Sequence, residues 1–202
     1  MDENRTNNSA MLRGLPMERP HFSHENRGES FYAFPLEVLR LSGAADTVNV
    51  IVRREIMEAL EVNDAGKLCV SGELRSFNNK SGVGQKLIIT VFARDMWFDD
   101  GDDENSIRLT GTICKPPTLR VTPMGREICD LMVAVNRRYG RSDYLPCIAW
   151  GMKAREASCW PVGAVVDISG RIQSRKYTKL LAGQPTEKTA FEVSVINITR
   201  VK

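Results

Sequence analysis

The chain repeats itself. Displaced by 97 positions, Leu12 falls on Leu109, Gly14 on Gly111, Pro20 on Pro117 and Gly28 on Gly125. Val38 then falls on Val135, Arg40 on Arg137, Gly43 on Gly140, Asp46 on Asp143 and Ile51 on Ile148, with no gap between residues 12 and 51. Ordinary composition would leave about two or three chance identities over such a span. One extra residue in the second copy sets Ser71-Gly72 on Ser169-Gly170, and a further change in length sets LIITVF (87–92) on FEVSVI (191–196). A tandem duplication requires each copy to build its own core from about 100 residues.

Between the copies lies DDGDDEN (99–105), five carboxylates and a glycine with no apolar residue to bury. It reads as a solvated acidic linker over 99–106, joining a first domain (1–98) to a second (107–202), and no metal is expected on it. The formal net charge of +3 hides an asymmetry: residues 1–98 carry −1, residues 99–106 carry −5 and residues 107–202 carry +9. The basic surplus of the second copy is the electrostatic footprint expected of a nucleic-acid surface.

Periodicity supplies the fold class. In the second copy IRLTG, ICDLMVAV, YLPCIAW, VVDISGRIQS and FEVSVINI alternate apolar and polar residues with period 2, separated by turn signals at PP, PMG, YGRS, PVG and AGQP. GMKAREASCW (151–160) does not alternate and suits a short helix stopped by Pro161. Five strands with one helix between the third and fourth is the layout of an OB-fold barrel, so the prediction is an all-β chain of two tandem OB-fold barrels. The first copy follows, with REIMEALEV (54–62) as its helix.

Other classes find little support. No stretch is long and apolar enough to cross a membrane, and MDENRTNNSA lacks the apolar core of a secretory signal. The cysteines at 69, 114, 129, 147 and 159 are odd in number and never spaced Cys-x-x-Cys, which predicts reduced, buried thiols in a cytoplasmic protein. His21 and His24 in PHFSH have no nearby partner ligands, and no nucleophile–base arrangement or phosphate-binding loop stands out. The expectation is a binding module without catalysis, cofactor, metal or small-molecule substrate.

GRSDYLPCIAWG (140–151) then raises the question of what Tyr144 and Trp150 are for. A ring on a barrel strand serves equally well as core, and Trp150 shares the face of Ile148 two residues earlier. The second copy as a whole answers differently. IRLTG, KPP, Arg120, the Gly125 turn, ICDLMVAVNR, YLPCIAWG, VVDISGRIQSRKYT and FEVSVINI, in that order over residues 107 to 201, resemble the bacterial single-stranded DNA-binding proteins. The resemblance implies sequence-tolerant binding of single-stranded DNA in replication, recombination or repair, with RNA a possible ligand. It places base-stacking rings at Tyr139, Tyr144, Trp150 and Tyr177, and aromatic residues fill all four positions.

Physical chemistry asks for the same residue types. A single strand offers phosphate charge and unpaired π-faces, and each stacked base is worth ~1–3 kcal/mol by alanine substitution. Arg120, Arg137, Arg138, Arg141, Arg171, Arg175 and Lys176 interleave with the rings as candidate phosphate partners. At the equivalent places the first copy has Ser42, Thr47, Arg53 and Asn79, so it reads as scaffold with weak binding. The loops NNKSGVGQK (78–86) and TKLLAGQPTEKTA (178–190) are expected to fold over a ligand. Members of the family continue into an acidic tail that recruits other enzymes; this sequence stops at Lys202, so tail-mediated recruitment is not expected. One-barrel members work as tetramers, which predicts a homodimer presenting four barrels. The alternative is a replication-restart accessory protein, resembling primosomal replication protein N, acting mainly through protein contacts.

Overall fold

The structure, a computed structural model, describes residues 6–60, 66–79, 87–137, 140–181 and 184–201, without the side chains of 176–177, 179–181, 184 and 186–188. Two compact units emerge: residues 1–75 with 90–107, and residues 76–89 with 108–202. The first is built from β1 (Asn8–Pro16), β2 (His21–Asn26), β3 (Glu29–Leu39), β4 (Ala45–Arg53), α1 (Arg54–Glu58), β5 (Lys67–Asn78) and β6 (Leu87–Asp99). The second repeats the series as β7 (Glu104–Ile113), β8 (Thr118–Val121), β9 (Glu127–Asn136), β10 (Ser142–Trp150), α2 (Met152–Ser158), β11 (Val165–Leu181) and β12 (Gln184–Arg200).

Strands run β2-β3-β4-β6-β5-β1 in the first unit, where β3 also pairs with β1, and β7-β11-β12-β10-β9-β8 in the second, where β7 also pairs with β9. Those extra pairings close each sheet on itself, and the parallel β4–β6 and β10–β12 pairs complete two OB barrels of the same topology. The core of each is the inward parity of its strands: Leu12, Phe34, Leu36, Val48, Val50 and Leu74 in one, Leu109, Ile113, Val133, Leu145, Ala149 and Ile172 in the other.

The repeated residues turn out to be barrel chemistry. Leu12 and Leu109, Val38 and Val135, and Ile51 and Ile148 are buried in both units. Gly14 lies where β1 crosses β3, and a Cβ there would run into the Glu37 carbonyl; Gly111 lies where β7 crosses β9, against the Val133 side chain and the Ala134 carbonyl. Only glycine lets the backbones approach closely enough to close the barrel. The β3–β4 and β9–β10 turns share a second device. Gly43 and Gly140 hold φ of 81° and 74°, and the turns close through Arg40 N to Ala44 O (2.8 Å) and Arg137 N to Arg141 O (2.7 Å). Each turn then folds its arginine onto the aspartate six residues on: Arg40 Nε donates to Asp46 and Arg137 Nε to Asp143, each at 2.6 Å, and both aspartates are fully buried.

Several expectations are corrected. Among the described residues each unit shows six strands, not five, because β2 and β8 pair along the edges of β3 and β9; their side chains are exposed throughout, so no apolar alternation announces them. The first helix stops at Glu58, and residues 61–65 lie outside the described set. Residues 178–190, expected as a loop, continue the ladder on both strands as far as Leu181 opposite Gln184, while 80–86 of the other predicted loop lie outside the described residues.

The acidic run is not all solvated either. Asp99 pairs with Arg13 at 2.8 Å, and the Asp103 carboxylate accepts hydrogen bonds from Lys67 Nζ and from the Leu39 N–H. Burial pushes the Asp103 carboxyl up, but those donors outweigh it and hold the group below its ordinary range. Cys69, Cys129 and Cys147 are buried as expected, and burial pushes the Cys147 thiol far up; Cys114 is half-buried and Cys159 is exposed.

The alignment of LIITVF with FEVSVI is displaced by two residues. Ile51 pairs with Phe92 where its counterpart Ile148 pairs with Ser194, so Phe92 corresponds to Ser194 rather than Ile196. A two-residue slip keeps the period-2 pattern intact, which is why sequence alone does not detect it.

Candidate nucleic-acid interface

On β10 the odd positions Asp143, Leu145, Cys147 and Ala149 point into the barrel and the even ones point out. Tyr144 is 51% exposed and Trp150 38%, at either end of an outward row that also carries Pro146 and Ile148. Trp150 therefore shares the face of Ile148, but that face is the outer one. The β9 ladder sets Ala134 beside Tyr144 and Ile128 beside Trp150, a small and an apolar neighbour.

The candidate cations divide by what holds them. Arg120 stands on β8 opposite Ile128, on the same outer face, and pairs with Asp130; the hydrogen bond to that carboxylate pushes its pKa up. Arg171 stands on β11 opposite Ser194, which stands opposite Ile148, and its Nε is buried with no hydrogen-bond partner among the described residues. Arg175 is half exposed, 3.8 Å from Glu192, whose Oε1 already accepts from Gln173 Nε2 at 2.7 Å. Arg141 is exposed beside the β9–β10 turn.

Arg137 has another task. Besides the buried Asp143, it donates to the Ser76 carbonyl at 3.1 Å, and the first unit builds the same arginine–aspartate clasp without any of the predicted rings. Its role in the fold is thereby accounted for with no ligand. Tyr177 and Lys176 lie on β11 opposite Lys188 and Thr189, with their side chains outside the described set, and Arg138 and Tyr139 lie outside it altogether. The unpartnered Nε of Arg171 is the site feature that sequence reading could not have singled out, since it depends on cross-strand neighbours.

No group of three or more His, Cys, Asp or Glu that could hold a metal occurs among the described residues, and no described helix is long and apolar enough to cross a membrane.

Two barrels of one topology in tandem, each with a helix after its fourth strand, define a tandem OB-barrel protein. The profile described as "Single-strand binding protein family" matches residues 104–201. Single-stranded DNA-binding protein B of Bacillus subtilis is 34% identical over 80 residues, a match covering 36% of this chain and 71% of that protein. The chain belongs to the single-strand binding protein family. Single-stranded DNA-binding protein 3 of Streptococcus agalactiae and the single-stranded DNA-binding protein of Clostridium tetani are each 35% identical over 80 residues; the chain spans only 58% and 55% of their lengths. The crystal structure of the single-stranded DNA-binding protein from Thermus aquaticus matches the fold over 96% of this chain and 93% of its own, with a TM-score of 0.76 and 21% identity.

Proposed function

We propose that the protein binds single-stranded DNA without sequence preference, through the outer face of its second barrel, and performs no chemical step. The observation that carries this reading is the outward, exposed placement of Tyr144 and Trp150 on β10, on the same face as Arg120 and Arg171. Rings take bases by stacking, and the guanidinium groups take phosphate. The net charge of +9 over residues 107–202 supplies the long-range attraction, and single-stranded DNA is what the named relatives bind by their names. Tyr139, Tyr177, Arg138, Arg141, Arg175 and Lys176 extend the same surface in this proposal, and Arg137 positions the turn beneath it. A homodimer would assemble four barrels, two of them presenting this face to the strand, and the free thiols suit a reducing cytoplasm.

The test is titration of the full chain with fluorescent dT and rU oligonucleotides over a range of salt. Tyr144→Ala and Trp150→Ala are each expected to weaken binding by ~1–3 kcal/mol with little change in melting temperature. A ring whose removal lowers the melting temperature strongly, and affinity only in proportion to unfolding, is structural. Equal affinity for rU extends the ligand to RNA.

A further inference from the structure

Tyr144 sits near the start of β10, short of part of that strand's support. β12 pairs with β10 at Cys147 and Ile148, three residues further along, while Ala134 of β9 stands opposite Tyr144 on the other side. A backbone amide in such a place needs an acceptor from elsewhere. A side chain supplies it: the Tyr144 N–H donates to Ser76 Oγ at 2.8 Å.

Ser76 belongs by sequence to the first copy, near the end of β5, yet residues 76–89 fold with the second unit. It is buried there, and its backbone is engaged at both ends. Its N–H donates to Asp143 Oδ1 at 2.5 Å, and its carbonyl accepts from Arg137 Nη2 at 3.1 Å. Asp143 is fully buried and is itself held by Arg137 Nε. With both backbone groups anchored on the arginine–aspartate clasp, the Ser76 hydroxyl is aimed at one place, the main chain beneath an exposed ring.

That placement matters for stacking. The Tyr144 ring is half exposed, so no core packing orients it, and its direction follows from the Cα–Cβ bond and hence from the backbone that Ser76 pins. A ring already held in place when a strand arrives loses less conformational freedom on binding.

Resting on the single-strand reading above, we propose that Ser76 is a positioning residue for that site: through its hydroxyl a residue of the first copy holds the Tyr144 ring ready for a base, without itself touching the strand. The first copy then takes part in binding by completing the face of the second unit. A ring after the acidic run is governed by a residue before it.

The experiment titrates the full chain with fluorescent oligo-dT of about 30 nucleotides, enough for two barrels, and follows melting beside it. Ser76→Cys keeps the side-chain volume and replaces the hydroxyl by a weak acceptor. It is expected to weaken binding roughly fivefold, the worth of one hydrogen bond. The deciding measurement is coupling between sites. In a Tyr144→Ala background Ser76→Cys should cost nothing further, and in a Trp150→Ala background it should cost its full effect. A general loosening of the fold would cost the same in all three backgrounds and follow the melting temperature; that result overturns the proposal. Wild-type affinity in Ser76→Cys, with Tyr144→Ala binding weakly, also overturns it and leaves the single-strand reading standing. Wild-type affinity in Tyr144→Ala, or a wild-type chain that does not bind dT, overturns that reading and this proposal together. Should Ser76→Cys melt far below wild type, Ser76→Ala, which adds no bulk, is read in the same three backgrounds.

Discussion

Arg137 and Tyr144 stand seven residues apart and look alike as candidates, a cation and a ring in the most basic part of the chain, but their surroundings separate them. Asp143 is fully buried, and Arg137 Nε donates to it at 2.6 Å. Removing one partner of such a pair leaves a buried charge uncompensated, at a cost of about 3–5 kcal/mol. Arg137→Ala should therefore lower stability by that order, and Arg40→Ala should do the same in the first unit through Asp46, whose burial is equal. Arg171→Ala should instead weaken oligonucleotide binding and leave the melting temperature close to wild type, because its buried Nε has no hydrogen-bond partner among the described residues to lose. Denaturant unfolding beside binding measurements checks all three, and a stable Arg137→Ala variant that binds weakly would return Arg137 to the ligand surface. The repeat already held the clue: Arg40 is identical to Arg137 although the first copy lacks the predicted rings, so an architectural role was legible in the sequence.

The elements themselves were legible wherever one face is buried. Period-2 alternation marks β9 and β10 because each strand sends every second residue into the core. It fails for β2 and β8, which have no buried face, and it cannot fix the pairing of β6 or β12 to within two residues. The barrel crossings give the prediction at this scale. Gly14→Ala puts a methyl against the Glu37 backbone carbonyl, and Gly111→Ala puts one against the Val133 side chain and the Ala134 carbonyl. Backbone does not yield as a flexible side chain does, so each should destabilise by ~1–3 kcal/mol, as overpacking does. The expected result is a melting temperature several degrees lower by circular dichroism; an unchanged melt would mean that the β1–β3 or β7–β9 crossing relaxes without loss.

For the whole molecule, the duplication bears on assembly. A chain with two barrels reaches four by pairing once, and a closed twofold pair needs only one self-complementary patch. Light scattering at micromolar concentration is expected to give the mass of two chains, twice 22.6 kDa. A mass of one chain across the concentration range, with undiminished affinity for DNA, would remove the dimer. Salt bears on the same scale: affinity should fall steeply as salt rises, because the +9 of residues 107–202 acts by displacing counterions from the strand.

The sequence by itself determined the duplication, the barrel class, the uneven charge and the family, since repeated glycines, period 2 and composition are properties of the chain in order. Tertiary structure alone decided which side chains are held by partners within the chain. Arg137 is held by Asp143, the Arg171 Nε meets no hydrogen-bond partner among the described residues, and His24 is laid on Phe31. In each case the deciding neighbour is reached through a turn or across a strand ladder, where register and not sequence spacing sets the distance.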